Sequence, residues 1–513
     1  MTVSMKPSRT ASRLLGAALL SLTLTAAPAV AQEEAPSWKF APEYTADQLM
    51  RSPVAAARFA QQLADGEAAF FAAARDPESG LTFDGWDLDP TTRQPVKARR
   101  FSAASKECLD LALLIKALYG DPLISRVVSP VDPDKAPEVA VEILSKKIAS
   151  YERYRAKYPG FNGYMAWFTS GLDAAPMQGW DTAFPTLDLG EMIWALLLTE
   201  RALEQTGHEA LGQRYADFNG HLQERAREAM FNEARGGVRG RVEVSDPLSA
   251  RATFSSDALT TGEHGVHEGQ MIVLYMCLYG DLTPAEIDGV WKNITMKRVE
   301  HPDGTTWQGF WGSPHEEWAY LFLPYRDLPE YRQLFRIREK IRAANAARRG
   351  YPGFGASAHH PLGKGYMSAS GIEGIGSQPL EHQDTYTPYG AFPLLLEFSD
   401  QEKGNVGLVW LHNMLMGPGM QGPFGAGESG DNAGTGSASI KTIDATFTTL
   451  LAMSGGLEKE MAEMMKADGT YEPFLKIMRA EYEETFSDAP LREPLHEFAQ
   501  PNGPAGTTGK SGS

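Results

Sequence analysis

The sequence has only two cysteines, Cys108 and Cys277, in 513 residues. One disulfide cannot serve as the scaffold of so long a chain, so a packed core must stabilise it. Positive charge is also scarce, because 48 lysines and arginines stand against 65 aspartates and glutamates and leave a formal net charge of -17. This excess of negative charge disfavours nucleic acid and anionic membranes as partners.

Long hydrophobic runs are scarce as well. The one apolar stretch of note, Leu14 to Ala27, follows three basic residues and precedes the small-residue triplet Ala29-Val30-Ala31. It is shorter than the roughly 20 residues that a membrane-spanning helix needs. The pattern is typical of a secretory signal peptide, so we expect cleavage after Ala31 and a periplasmic or secreted protein that begins at Gln32.

The interior lacks a linker rich in proline, glycine or serine. We therefore predict that residues 46–500 form a single domain. The polar segment 32–45 is predicted to be mobile, and the Pro/Gly/Ser/Thr-rich end, residues 501–513, is predicted to be disordered.

The sequence does contain clear helical periodicity. Apolar residues recur at three- and four-residue spacings from Thr186 to Glu204 and from Glu268 to Tyr279. Strand-like alternation is rare, its best example being Gly237 to Val244, so an all-α architecture is favoured over α/β. No short repeat supports a helical solenoid. Further helices are predicted at residues 331–348, 388–398, 402–416, 445–453 and 458–466.

Long connections rich in aromatic residues and glycine separate these helices, at residues 151–186, 301–326 and 351–387. Loops of this length that lack regular structure are usually functional. In a ring of inner and outer helices they would gather at one rim and form a cleft.

Several common catalytic motifs are absent. The sequence has no GxSxG nucleophile elbow and no Walker-type phosphate loop. His264, His267 and Glu268 lie close together, and His359 adjoins His360, but neither group has the spacing of a zinc-protease motif. We therefore predict no metal and no cofactor.

Acidic residues at predicted helix starts are the best candidates for chemistry. Asp188 and Glu191 lie in PTLDLGEMIWALLL, Glu268 lies in GVHEGQMIVLYM, and Asp444 lies in IKTIDATFTTLL. Each could simply cap its helix, and Asp188 with Glu191 has the spacing of a capping box. If the inner helices share one orientation, these carboxylates converge at one mouth, where glycoside cleavage needs a proton donor and a base.

Their surroundings suggest separate roles. Glu268 is flanked by glycines, histidines and apolar residues, which favour a protonated carboxyl by desolvation and make it the preferred general acid. A helix start favours an ionised group, so Asp188, Asp444 or the loop residue Glu428 is a candidate base. The sequence does not choose among these three.

A loop from Trp307 to Trp318 concentrates aromatic and acidic residues. Sugar rings stack on exposed aromatic faces, while carboxylates and histidine bind hydroxyl groups. The alternative is that Trp311 and Trp318 belong to the core, and for Asp384 the alternative is a turn. The predicted substrate-binding residues are Trp307, Trp311, His315, Glu316, Glu317, Trp318, Glu191, His267, Asp384 and Tyr386.

These same segments resemble, in order, motifs of the bacterial glycoamylase-like domain, the group of glycoside hydrolase family 144 and its relatives in families 162 and 189. PTLDLGEMIWALLLTERAL is similar to the family's Ser-Thr-Ile-Asp-Thr-Ala-Leu-Leu helix start, with Asp188 at its aspartate. GVHEGQMIVLYMCLYGD is similar to its Gly-Tyr-Asn-Glu segment and the helix after it, with Glu268 at the glutamate.

The likeness continues through the second half of the chain. WGSPHEEWAYLFLPYRD stands at the family's His-Gln-Tyr-Ser-His segment, and GFGASAHHPLGKGYMSASG at its Trp-Gly-Leu-Thr-Ala-Ser-Asp-x-x-x-Gly-Tyr segment. GPFGAGESGD resembles the Tyr-Gly-Phe-x-Asp segment, with Glu428 at its acid. IKTIDATFTTLL resembles the Ile-Asp-Gln-Gly-Pro segment, with Asp444 at its aspartate.

The resemblance implies an (α/α)6 toroid that hydrolyses a β-1,2-glucan, with a proton donor at Glu268 that in some members acts through a substrate hydroxyl. Glu316 and Glu317 in place of Gln-Tyr, and the residues after Asp444 in place of Gln-Gly-Pro, leave the glucan and its linkage open. Transfer instead of hydrolysis, an (α/α)-toroid polysaccharide lyase and a periplasmic glycan-binding protein without activity are the alternatives.

Overall fold

The computed structural model describes residues 38–260, 268–294, 296–367, 371–380, 383–397, 405–494 and 498–504, and of Glu268 the backbone only. Helices dominate these residues. The predicted signal peptide, residues 32–37 of segment 32–45 and residues 505–513 of the predicted tail lie outside the described residues. Residues from Trp38 onward form one unit. None of the described helices is both long and apolar enough to span a membrane.

Seventeen α-helices lie in the described part of the chain. They are α1 Ala46–Arg51, α2 Pro53–Ala73, α3 Ala104–Leu118, α4 Pro122–Val128, α5 Ala136–Lys157, α6 Thr186–Gln205, α7 Glu209–Glu224, α8 Ala226–Met230, α9 Glu268–Tyr279, α10 Pro284–Ile294, α11 Ala319–Phe322, α12 Pro329–Arg349, α13 Phe392–Glu397, α14 Val406–Leu415, α15 Ile443–Met453, α16 Glu458–Asp468 and α17 Tyr471–Phe486.

The strands are short and lie in the connections between helices. They are β1 Gly85–Leu88, β2 Pro95–Arg99, β3 Phe101–Ser102, β4 Phe168–Thr169, β5 Ala175–Pro176, β6 Ala183–Pro185, β7 Phe231–Asn232, β8 Gly237–Val238, β9 Arg241–Val244, β10 Phe254–Ser255, β11 Arg298–His301, β12 Gly304–Trp307, β13 Ala358–His359, β14 Tyr366–Met367, β15 Thr385–Tyr386, β16 Gln421–Gly422, β17 Gly425–Ala426, β18 Gly430–Asp431 and β19 Ile440–Thr442.

The helices predicted from periodicity are present. The apolar pattern from Thr186 corresponds to α6, and the pattern from Glu268 corresponds to α9. The segment predicted to be helical from residue 388 begins with a 3-10 turn, Pro388–Ala391, and becomes α-helical only at Phe392. The long connections are not wholly irregular, because they form small antiparallel sheets of two or three strands each.

Burial separates the helices into two kinds. Every residue of α3 is buried, and so are all residues of α15 except its last, although both helices also carry polar or charged side chains. In α7 the buried residues recur at helical spacing, for example at Tyr215, Phe218 and Leu222, while the other face is exposed. The first kind lies at the centre and the second at the periphery.

The central helices pack side by side. Helix α3 contacts α6 and α15, α6 contacts α9, α9 contacts α11, and α13 contacts α15. Helices α6 and α9 run in the same direction, because Gly190 lies against Ile272 near their starts and Trp194 lies against Tyr279 further along. The indole of Trp194 also donates to the carbonyl of Met271 at 2.9 Å. Their first turns therefore lie at the same end.

Candidate active site

A cavity of about 410 Å³ lies at the starts of α3, α6 and α15. Its walls combine carboxylates, cations and aromatic rings, which is the mixture expected of a site for a polar ring-shaped ligand. The described residues that line it are Asp84, Arg99, Phe101, Ser105, Lys106, Trp167, Asp188, Trp311, His315, Trp318, His359, Tyr366, Thr442 and Asp444.

Asp188, predicted from the helix start, lies in this cavity. It occupies the first turn of α6. The hydroxyl of Ser105 in α3 donates to its Oδ1 at 2.6 Å, and the indole Nε1 of Trp167 donates to its Oδ2 at 3.2 Å. Both carboxylate oxygens therefore accept hydrogen bonds from neighbouring segments, which fixes the orientation of the side chain.

Asp444 lies across the same cavity in the first turn of α15. The helix begins after Thr442, whose hydroxyl accepts from the amide of Ala445 as an N-cap. The ammonium of Lys106 donates to Asp444 Oδ2 at 3.0 Å. Asp444 Oδ1 has no hydrogen-bond partner among the residues that the structure describes. In the described part of the chain, one oxygen of this carboxylate is thus bound by a cation and the other has no hydrogen-bond partner.

A row of alternating charges leads to Asp444. Arg99 Nε donates to Asp84 Oδ2 at 2.6 Å, Asp84 Oδ1 lies 3.4 Å from Lys106 Nζ, and Lys106 reaches Asp444. Burial lowers the pKa of Lys106, but Asp444 and Asp84 outweigh it, so the net shift is upward. Lys106 is therefore a permanent cation. Burial and the nearby Arg99 lower the pKa of His359, which keeps this imidazole neutral near pH 7.

Glu428, the third candidate base, lies behind Asp444. Its side chain is buried, and its Oε2 accepts from the amide of Thr442 at 2.9 Å and from the hydroxyl of Thr442 at 2.8 Å. Burial raises the pKa of Glu428 to about 7, and the negative charges of Asp444 and Asp84 add to the rise. It is not among the described residues that line the cavity, so its contact with the site runs through Thr442.

Two clusters of aromatic side chains form the remaining wall of the cavity. The rings of Trp311 and His315 lie 5.5 Å apart, and those of His315 and Trp318 lie 4.4 Å apart. On another side, the rings of Phe101 and Trp167 stack with centroids 6.3 Å apart. Such surfaces suit the apolar faces of sugar rings. Three predicted substrate-binding residues, Trp311, His315 and Trp318, are therefore in the cavity.

Glu316 and Glu317 were predicted to bind substrate, but the structure places them behind the wall. Glu316 accepts from the amides of Trp311 and Gly312. Glu317 accepts from Arg342 at 3.1 Å and pairs with Arg338 at 2.5 Å. Both carboxylates are buried and hold the aromatic loop against α12.

This buried cluster contains more carboxylates than cations. Glu316 and Glu317 are joined by Glu339, whose Oε1 accepts from Arg342 at 3.0 Å. Burial raises the pKa of Glu316 to about 7, although Arg338 opposes the rise. Burial also raises the pKa of Glu339 to about 8. Protonation of one of the three carboxylates therefore balances the two arginine charges, as a third cation otherwise would.

Four other predicted contacts also lie away from the cavity lining. Trp307 was predicted to bind substrate but belongs to the core, because it is 2 % exposed and lies under the guanidinium of Arg338, whose carbon is 4.3 Å from the ring centroid. Glu191 and Tyr386 are buried. Asp384 is half exposed and hydrogen-bonds His360 at 3.3 Å.

The predicted general acid is placed only through its backbone. Glu268 is the first residue of α9, and its side chain lies outside the described residues, as do His264 and His267. Because α9 runs parallel to α6, this helix start lies at the same end as the Asp188 carboxylate. In the described part of the chain, no group of three or more His, Cys, Asp or Glu residues could hold a metal ion.

The sequence patterns missed nine of the fourteen described residues that line the cavity. Asp84, Arg99, Lys106, Trp167 and His359 come from short strands, loops and the first turn of α3. One signal was available for Lys106, since a lysine in the first turn of an apolar helix opposes the helix dipole and needs a partner.

Comparison with known proteins shows a likeness that covers most of the chain. A search of curated proteins found no significant match. Two solved structures of an endo-β-1,2-glucanase from Talaromyces funiculosus are similar, each with 29 % identity over 93 % of this chain and 98 % of the other. One is a complex with sophorose, with a TM-score of 0.87, and the other is a glutamate-to-glutamine mutant with β-1,2-glucan, with a TM-score of 0.86.

More distant proteins share the fold. An endo-β-1,2-glucanase from Chitinophaga pinensis, in complex with sophorotriose and glucose, has 14 % identity over 82 % of this chain and 98 % of the other, with a TM-score of 0.59. The family profile of the endo-β-1,2-glucanase SGL of glycoside hydrolase family 162 matches residues 81–511, most of the chain. This protein therefore belongs to the endo-β-1,2-glucanase family of glycoside hydrolases, family 162.

Proposed function

We propose that this protein hydrolyses β-1,2-glucan within the chain, using Asp444 as the general base and Glu268 as the proton donor. The observation that carries the proposal is the cavity in which Asp444 and Asp188 meet an aromatic wall at the helix starts. The similar enzyme from Talaromyces funiculosus was solved with sophorose and with β-1,2-glucan, which supports a β-1,2-linked substrate here.

The hydrogen bonds favour Asp444 over the other two candidate bases. A base needs an ionised oxygen that is available to a water molecule. Asp444 lines the cavity, Lys106 binds only its Oδ2, and its buried Oδ1 has no partner in the described part of the chain, so we place the water molecule at Oδ1. Asp188 accepts a hydrogen bond at each oxygen, and Glu428 is buried behind Thr442.

In this mechanism the water attacks the anomeric carbon while Asp444 takes its proton. The leaving oxygen receives a proton that originates on Glu268, directly or through a substrate hydroxyl, as the family resemblance implies. Asp188 orients a substrate hydroxyl or the sugar ring, since its carboxylate is fixed by Ser105 and Trp167. The tryptophans of the wall hold the glucose rings.

The architecture that we propose is an (α/α)6 toroid. The contacts run from α13 through α15, α3, α6 and α9 to α11, and both α11 and α13 contact the 3-10 turn Pro314–Glu317. The half-buried helices, such as α7, supply the outer layer. A crystal structure with six inner helices in a closed ring is the expected result, and an open arrangement would contradict the proposal.

We also propose that the protein is exported with a cleaved signal peptide. The support is the order of basic residues, the apolar stretch Leu14 to Ala27 and the triplet Ala29-Val30-Ala31. Sequencing the N-terminus of protein recovered from the periplasm or the medium should give Gln32 as its first residue. Full-length protein retained in the cytoplasm would contradict export.

The activity is tested with purified protein on linear β-1,2-glucan, other β-glucans and a uronic-acid polymer. We expect a ladder of β-1,2-linked oligosaccharides, with no ultraviolet-absorbing product. Asp444→Asn and Glu268→Gln should each lower kcat by about 10²- to 10⁴-fold, the usual contribution of general acid–base catalysis. Asp65→Asn is the matched control, because Asp65 pairs with Arg126 on the surface.

Each result other than this ladder of oligosaccharides would indicate one of the alternative functions. Products longer than the substrate would indicate transfer, unsaturated products would indicate a lyase, and binding without products would indicate a glycan-binding protein. Wild-type turnover that survives in Asp444→Asn would remove Asp444 as the base.

A further inference from the structure

Lys106 occupies a position that helix physics disfavours. It lies in the first turn of α3, where the helix dipole repels a cation, and its side chain is 4 % exposed. A buried ion pair contributes little net stability against an apolar alternative. Stability alone therefore gives no reason for a lysine at this place.

Its contacts give another reason. Lys106 Nζ lies 3.0 Å from Asp444 Oδ2 and 3.4 Å from Asp84 Oδ1, and it lies 5.3 Å from the ring centroid of Trp167. Asp84 in turn accepts from Arg99 at 2.6 Å. Two cations and two anions thus alternate, and the row ends on the proposed base.

We propose that Lys106 is a positioning residue for catalysis, whose ammonium fixes the orientation of the Asp444 carboxyl group and places a positive charge beside it. This inference rests on the proposed role of Asp444. Asp84 and Arg99 act one step further out: Asp84 holds the lysine, and Arg99 holds Asp84. The row thus pairs two basic side chains with two acidic ones.

Other titratable groups face this row. His359 contacts Arg99 at 3.4 Å and is neutral near pH 7, and the Tyr366 ring lies 5.3 Å from the His359 ring. Glu428 approaches Asp444 through Thr442. None of these groups supplies a positive charge to Asp444 near neutral pH, so Lys106 is the cation that contacts it in the described part of the chain.

The first test compares Lys106→Met with the wild type through the pH dependence of kcat and kcat/KM on β-1,2-glucan. An adjacent opposite charge shifts a carboxyl titration by about 1 to 3 pH units. We expect the acid limb of the profile to move to higher pH by that amount. Lys106→Arg, which retains the charge, should keep the limb within about one unit of the wild type.

Two further variants test whether the shift of the acid limb comes from the charge next to Asp444. Lys116→Met removes a lysine of the same helix that pairs with Glu460 at 2.8 Å, at the end of α3 distant from the cavity, and should leave the acid limb unchanged. Asp84→Asn removes a negative charge near Asp444 and should move the limb in the opposite direction, to lower pH. An acid limb that stays in place in Lys106→Met, or that moves equally in Lys116→Met, would overturn the proposal.

A measurement independent of turnover separates this inference from the proposed function. Carbon-13 in the aspartate carboxyl groups gives a titration signal for Asp444, assigned by its loss in Asp444→Asn. Its midpoint should rise in Lys106→Met and not in Lys116→Met. An unchanged midpoint would refute the role of Lys106 even in an active enzyme, whereas a wild type without activity on β-1,2-glucan would refute the proposed function.

Discussion

The contact between α6 and α9 at Gly190 allows a sharp test of how the two helices place the site. A Cβ atom at this position would lie 2.6 Å from the amide nitrogen and 2.8 Å from the Cβ of Ile272. The first of these atoms belongs to the backbone of α9, so a change of rotamer cannot relieve the contact. In Gly190→Ala the two helices must move apart.

The magnitude follows from two opposing effects. Overpacking costs roughly 1 to 3 kcal/mol, and a backbone contact places this case near the upper end. Alanine is a better helix former than glycine by about 1 kcal/mol, which offsets part of that cost. We therefore expect the free energy of unfolding to fall by about 2 kcal/mol in Gly190→Ala.

Gly220→Ala is the matched control. Gly220 lies within α7, and a Cβ there would have no neighbouring atom within 4 Å. Only the gain in helix propensity remains, so this variant should be more stable than the wild type by up to about 1 kcal/mol. Urea unfolding, followed by tryptophan fluorescence, measures both differences.

Activity provides the second readout. The starts of α6 and α9 carry Asp188 and Glu268, and a displacement of about 1 Å between groups that act together can cost roughly 10²-fold in rate. Gly190→Ala should therefore lose activity at a temperature where it is still folded, and Gly220→Ala should not. A Gly190→Ala protein as stable and as active as Gly220→Ala would refute the close packing of the two helices.

Two further predictions follow from the site. Burial raises the pKa of Glu428 from 4.5 to about 7, so folding favours its protonated form, and this stabilisation is present below pH 4.5 and lost as the pH rises through 7. The difference in unfolding free energy between wild type and Glu428→Gln should then change by about 3 kcal/mol across that range, and a constant difference would contradict it. Trp311→Ala should lower kcat/KM roughly tenfold through loss of sugar stacking, whereas Trp307→Phe should leave it unchanged. Equal losses in both would contradict the distinction between wall and core.

Local sequence patterns predicted those helices and acidic residues that a short stretch of sequence is enough to identify. Helices α6 and α9 have a helical apolar period, and Asp188 and Asp444 stand where helices begin after polar segments. The convergence of the two carboxylates also followed, because it needs only a shared direction of the inner helices. In the structure Asp188 and Asp444 line one cavity at the starts of α6 and α15, and α6 runs in the same direction as α9.

What the sequence did not reveal depends on contacts between distant segments. Lys106 meets Asp444 because α3 packs against α15, and Asp84 joins them where β1 pairs with β19, with Gly85 opposite Thr442. No local pattern encodes this pairing. The aromatic loop shows the same limit, because the spacing of Trp307 and Trp311 does not tell which one faces Arg338 in the core and which one faces the cavity.

The pairing of β1 with β19 has a consequence for the order in which the site forms during synthesis. One strand is made early in translation and the other late, and the base assembly draws on both. The chain must therefore be synthesised beyond Asp444 before that residue can meet Lys106. A shortened chain that stops before β19 lacks the proposed base.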